Sequence, residues 1–166
     1  MRFLIFAVLT ATACFPETQR ETPSAKPVPI LPPMVLHRVL AKSGQIFSGT
    51  VIKVEHSTTN SSTALATTSV QLRVDEAIRG VRKGQIVQVK EWAGLWQSGE
   101  RYHPGERVLL FLYPPSKFGL TSPVGRNAGR FSVDTGGHVF IRPATGFPRK
   151  VPVHRIAEQI RRAEQE

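Results

Sequence analysis

The alternation of apolar and polar positions is cleanest between Thr68 and Ala77, where Val70, Leu72 and Val74 fall on one face and Gln71, Arg73 and Asp75 on the other. A two-residue period of this kind predicts a β-strand with one wet face. The segment before it, from Gln45 to Glu55, is rich in β-branched residues and alternates loosely through Phe47, Val51 and Val54. It reads as a second strand, with Gly49 marking a bulge or a close crossing. Gln85–Trp92 reads as the strand that returns after a Gly-rich turn at 79–84, with Ile86 or Val87 and then Val89 facing inward. Val108–Tyr113 is apolar without interruption, which predicts burial on both faces and a central place in the sheet. Pro114 and Pro115 stop it.

Shorter strands are predicted at Phe118–Thr121, Gly129–Asp134 and His138–Arg142, the last two joined across Thr135-Gly136-Gly137, a hairpin signal. Helical spacing appears only near the two ends of this region. Met34–Lys42 predicts a short helix ending at Ser43-Gly44. Pro152–Glu166 places Val153, Ile156, Ala157, Ile160 and Ala163 on one face, which predicts an amphipathic helix with proline at its start.

The first fourteen residues follow a different pattern. Arg2, the apolar run Phe3–Leu9 and the small residues Ala11-Thr12-Ala13 before Cys14 have the order of an export signal. The run is too short to cross a bilayer, which takes ~20 apolar residues. Two readings of Cys14 stay open. It is either the lipidated residue of a lipobox, in which Ala11 replaces the usual Leu, or the first residue after an A-x-A cut. Residues 15–33 contain six prolines and read as an extended tether. The expected organisation is a signal over 1–13, a Pro-rich tether over 14–33, and one domain over 34–166. The expected location is outside the cytoplasm, periplasmic or extracellular, with membrane attachment if Cys14 is acylated.

Composition narrows the chemistry. Cys14 is the one cysteine, so no disulfide within the chain supports the fold. The formal net charge is +10, from 22 Lys+Arg against 12 Asp+Glu, which permits binding to anionic surfaces. Basic residues are spread rather than blocked, as on an ordinary soluble surface. The two aspartates, Asp75 and Asp134, are far apart, and Asp75 and Glu76 point to opposite faces of one strand. The five histidines at 37, 56, 103, 138 and 154 have no metal-binding spacing, and there is no nucleophile elbow or phosphate loop. No catalytic, cofactor or metal residue is therefore assigned, and the chain is read as a non-enzyme.

Two basic groups are candidates for contact with a partner. The first combines Arg79, Arg82, Lys83 and Lys90 with Trp96, and with Trp92 nearby, a stacking-plus-charge arrangement of the kind that binds extended anions. The ordinary alternative is a solvated turn with Trp92 in the core. The second group, Arg149, Lys150, Arg155, Arg161 and Arg162, surrounds the C-terminal helix and would face anionic lipid or simply water.

The succession Phe47-x-Gly49-x-Val51, Val74-Asp75-Glu76 with Gly80, Gly105-Glu106-Arg107-Val108-Leu109-Leu110-Phe111 and Gly129-Arg130-Phe131 resembles secreted bacterial domains similar to tissue inhibitors of metalloproteinases and netrin modules. The likeness covers residues 36–145. It implies a mainly β fold, a five- to six-stranded antiparallel OB-like barrel with a short N-terminal helix and an amphipathic C-terminal helix. The animal inhibitors use a free, disulfide-pinned N-terminal Cys against a protease zinc. Here no second Cys exists and a tether separates Cys14 from the barrel, so that role is not transferred. The function expected is that of an exported, non-catalytic binding module for a protein or an anionic polymer, with nucleic acid disfavoured by export. The alternatives are a protease-inhibitor-like protein, and an enzyme whose site gathers Glu100, Arg101 and His103 around the Trp96–Tyr102 loop.

Overall fold

The computed structural model describes residues 33–57, 66–96, 102–141 and 149–165; for residues 33–35, 95 and 96 it describes the backbone alone. The signal, Cys14, the tether as far as residue 32, most of the polar loop at 56–66, and Glu100 and Arg101 lie outside the described residues.

Helix α1 (Pro33–Lys42) starts one residue earlier than its apolar pattern indicates and ends at Ser43-Gly44 as predicted. Seven strands follow among the described residues: β1 (Gln45–Ser57), β2 (Thr67–Arg79), β3 (Ile86–Trp92), β4 (Arg107–Leu112), β5 (Arg130–Val133), β6 (His138–Ile141) and β7 (Arg149–Pro152). Helix α2 (Val153–Ala163) closes the fold. All pairings are antiparallel, in one sheet of order β3-β2-β1-β4-β5-β6-β7.

This sheet is open, which corrects the expected five- to six-stranded closed barrel. A closed cylinder requires its two edge strands to pair, whereas β3 and β7 end this sheet with no ladder between them. Within the sheet, β4 is buried on both faces, Leu109 and Phe111 on one and Val108, Leu110 and Leu112 on the other, and it separates two cores. One core gathers Phe47, Val51, Leu72, Val74, Val89 and Leu110 in the hollow formed by β1 to β4. The other gathers Ile46, Leu109, Phe111, Val139, Ile156 and Ile160 on the opposite face. There α1 and α2 cover the sheet, and β5, β6 and β7 extend it beyond β4.

Predictions for single elements fare differently. β2 keeps Val70, Leu72 and Val74 buried while Arg73 is exposed. In β3 the alternation is strict, with Val87, Val89 and Glu91 buried and Ile86 exposed, so Val87 is the inward residue of that pair. Phe118–Thr121 is a turn rather than a strand. Phe118 is 85% exposed, and the nearby strand-like contact is a single bridge between Leu112 and Pro123. β7 has no counterpart in the sequence reading, because Arg-Lys-Val-Pro carries too few apolar residues to signal a strand.

Gly49 has the close approach expected of it. The register with β2 shifts between Ser48 and Gly49, and a Cβ at this position would sit 2.7 Å from the Arg73 carbonyl oxygen. The absent side chain lets β1 and β2 bend around the first core. After β4 the chain leans across towards β3, where the Thr121 N–H donates to the Lys90 carbonyl at 2.9 Å.

Candidate functional site

The solvent face of β3 is set by its parity. With Val87 and Val89 turned into the core, Ile86, Gln88, Lys90 and Trp92 must point outward, and all four are exposed. Ile86 is 62% and Trp92 46% exposed, large values for apolar side chains in a sheet. Trp92 is thus not a core residue. Its indole rests against Gly94, which has no side chain to obstruct it. Arg82 and Lys83 stand exposed on the turn leading into this strand. Arg82, Lys83 and Lys90 form no ion pair with any described residue. Trp96 ends the short 3-10 helix Ala93–Trp96 that follows; its side chain lies outside the described residues.

Arg79 does not join this surface. Its Nη1 donates to the Leu40 carbonyl at 2.6 Å and the Ser43 carbonyl at 2.9 Å, and its Nε donates to Glu164 Oε1 at 2.6 Å. The guanidinium therefore satisfies the carbonyl end of α1 and ties it to the last turn of α2. These partners lie 36 to 85 residues away in the chain, so no local pattern signals the role.

The second basic group is similarly divided. Arg161 pairs with Glu76 at 3.4 Å and Arg155 with Glu158 at 3.4 Å. Lys150 lies 3.2 Å from Asp134 and 4.9 Å above the exposed Phe140 ring. Asp134 also accepts the His138 backbone N–H at 2.8 Å, chiefly for which its carboxyl is lowered to about 2, with Lys150 and the His138 ring adding to the effect and burial opposing it.

A polar row that the sequence reading missed closes one end of the β1–β4 hollow. His56, Thr68 and Glu91 are cross-strand neighbours, with His56 Nδ1 3.2 Å from the Thr68 hydroxyl. Glu91 is fully buried and accepts a hydrogen bond from the equally buried Tyr102 hydroxyl at 3.3 Å. The Arg130 guanidinium lies 5.0 Å from the centre of the Tyr102 ring and pairs with Glu106. The signal for Glu91 was its parity with Val87 and Val89. Parity places the carboxylate inside, but nothing local identifies Tyr102 as its donor. His103, the described member of the enzyme alternative, is exposed on a turn, its backbone N–H donating to Glu106.

No protein-family model, curated protein or solved structure matches this chain. Among the described residues no group of three or more His, Cys, Asp or Glu is placed to hold a metal ion, and no helix is long and apolar enough to cross a membrane.

Proposed function

We propose that this protein is an exported, non-catalytic binding module that holds an anionic polymer along the solvent face of β3. The observation that carries the reading is the co-location of Arg82, Lys83 and Lys90, each without an acidic partner among the described residues, with the exposed side chains of Ile86 and Trp92. Unneutralised cations attract a polyanion over about 8–10 Å at ordinary ionic strength. An exposed indole adds a flat apolar surface on which a sugar ring or another planar group stacks. The strand spans about 20 Å at ~3.3 Å per residue, the reach of a short run of polymer rather than of one small ion.

In the same reading, β1 to β4 correspond to an OB-like unit of the kind found in tissue inhibitors of metalloproteinases and netrin modules. The long bent pair β1–β2 supports this, as does the crossing of the 113–123 segment towards β3. The residues Arg2 to Ala13 direct export, and acylation of Cys14 would hold the module at a membrane through the Pro-rich tether.

Retention on immobilised heparin tests the binding surface. The wild-type protein should elute at substantially higher salt than the Arg82→Glu/Lys83→Glu double variant or Lys90→Glu, and Trp92→Ala should weaken retention without changing its salt dependence. Equal elution of all four proteins would refute the assignment. Cell fractionation tests the anchor: Cys14→Ala should leave the membrane fraction if the thiol is acylated.

A further inference from the structure

Strand β3 ends the sheet, so one of its edges has β2 beside it and the other has no strand. The hydrogen bonds fix which groups lie on the open edge. Towards β2, the Gln85 carbonyl accepts the Val74 N–H at 2.8 Å, and beyond the strand the Ala93 N–H donates to the Ala66 carbonyl at 2.9 Å. Odd-numbered residues from 85 to 93 therefore turn their main-chain groups towards β2 and the segment leading into it, and even-numbered ones turn theirs away. Thr121 agrees from the other side, since its N–H donates to the Lys90 carbonyl at 2.9 Å. The N–H and C=O of Ile86, those of Gln88 and the N–H of Lys90 thus lie on the open edge, where no main-chain group among the described residues bonds to them. An open edge of this kind is a template for another strand. Thr121 makes the first bond of such a ladder and marks where the open run ends.

Spacing and charge select what pairs here. Donors and acceptors recur along the edge at about 6.6–6.8 Å, twice the rise per residue, and an extended polypeptide repeats both at that interval. A sugar chain has no such series of N–H and C=O groups. An added strand lies about 4.8 Å from β3. That is well inside the screening length of about 8–10 Å, so Lys90 acts on it directly, with Arg82 and Lys83 at the turn that opens the strand. All three are exposed and have no acidic partner among the described residues. The exposed side chains of Ile86 and Trp92 flank the same run on the outer face. A second copy of this chain is a poor partner, because pairing β3 with β3 brings Arg82, Lys83 and Lys90 together twice over. The acid in the strand, Glu91, is buried and does not offset them.

We infer that the open edge of β3 binds an extended acidic segment of another polypeptide by strand addition. The inference rests on the anionic-polymer reading of β3 and names the polymer. Main-chain bonds to Ile86 and Gln88 hold the segment, and Arg82, Lys83 and Lys90 select one that carries carboxylates. Lysine on an edge strand also discourages unselective pairing with neutral or basic strands.

The test titrates the isotope-labelled full chain with the capped peptide Glu-Val-Glu-Val-Glu-Val-Glu. A second peptide of the same sequence is methylated on every backbone nitrogen, which keeps its charge and removes its donors. The unmodified peptide should bind saturably and slow amide hydrogen exchange at Ile86 and Gln88 by about tenfold or more. The methylated peptide should bind about tenfold more weakly, or less, and protect neither amide. Gln88→Pro removes one outward N–H at an edge position where proline is tolerated. It should weaken peptide binding to a similar degree and leave heparin retention unchanged. Strand addition is overturned if the unmodified peptide does not bind, if the two peptides bind equally, or if Ile86 and Gln88 gain no protection. A Lys-Val peptide that binds as tightly as the Glu-Val peptide overturns the selection for carboxylates. Heparin retention that persists in these cases leaves the polyanion surface standing without strand addition, so the two readings fail separately. Should Gln88→Pro fail to fold, the two peptides on the wild-type protein still decide.

Discussion

Arg79 and Glu164 stand 85 positions apart in the chain and are joined by a hydrogen bond of 2.6 Å. The same guanidinium holds two carbonyl oxygens at the end of α1. One side chain thus fastens both helices to the end of β2. Arg79→Ala should destabilise the protein by about 2 kcal/mol, because two carbonyls lose a charged donor in a partly buried setting. Glu164→Gln should cost less than about 1 kcal/mol, since both members of that pair are roughly a third exposed. Urea denaturation of the two variants checks the difference. Equal losses would mean that the ion pair, and not the α1 carbonyls, is what matters at Arg79.

Tyr102 and Glu91 form a buried polar contact inside an otherwise apolar hollow. Tyr102→Phe preserves the ring beneath Arg130 and removes one donor to a carboxylate. It should lower stability by about 1–3 kcal/mol. A melting temperature within error of the wild type would show that the hydroxyl contributes nothing to holding Glu91.

Asp134 introduces a dependence on acid. Its carboxyl is lowered to about 2 by the His138 N–H first, then Lys150 and the His138 ring. A group whose folded value lies below its unfolded value stabilises the protein above the unfolded value and loses that contribution as pH falls through the folded one. The stability gap between the wild type and Asp134→Asn should therefore be constant above about pH 5 and close between pH 4 and pH 2. Denaturation midpoints across that range test it, and a gap independent of pH would contradict the arrangement around Asp134.

Gly49 and Gly84 separate two reasons for glycine. A methyl group at 49 meets the Arg73 carbonyl oxygen, a backbone atom that cannot move aside without bending β2. Gly49→Ala should cost about 2–3 kcal/mol through overpacking. Gly84 has a φ of +78° with open space around it, so Gly84→Ala should cost about 1 kcal/mol, through backbone strain alone. Gly84→Asn should recover part of this and Gly49→Asn none, as thermal melts would reveal.

The elements were legible in proportion to how local their causes are. Val70, Leu72 and Val74 state the face of β2 in five consecutive residues. Ile156 and Ile160 state the buried face of α2 in the same way, and Thr135-Gly136-Gly137 marks its hairpin. β7 was not legible, because it is held by its neighbour β6 and by the start of α2 rather than by apolar residues of its own. Phe118–Thr121 has strand composition but no partner to complete a ladder.

For the candidate sites the boundary runs through individual side chains. Parity along β3 assigns Lys90 and Trp92 to the same outer face, and Arg82 and Lys83 precede them on an evident turn. Arg79, three residues before Arg82, has the same charge and no local mark of difference, yet three remote oxygen atoms withdraw it from that surface.

The sequence by itself determined which residues alternate, where the chain turns and which segments are helical, since a period of two or of 3.6 is a property of neighbours. It also determined that β4 is buried on both faces. Only the tertiary structure decided that those faces belong to two separate cores on opposite sides of an open sheet, because that depends on where β5 to β7 and α2 come to rest. The partners of Arg79 and Glu91 were decided there as well: a hydrogen bond is fixed by proximity in space, and residues distant in sequence carry no local trace of it.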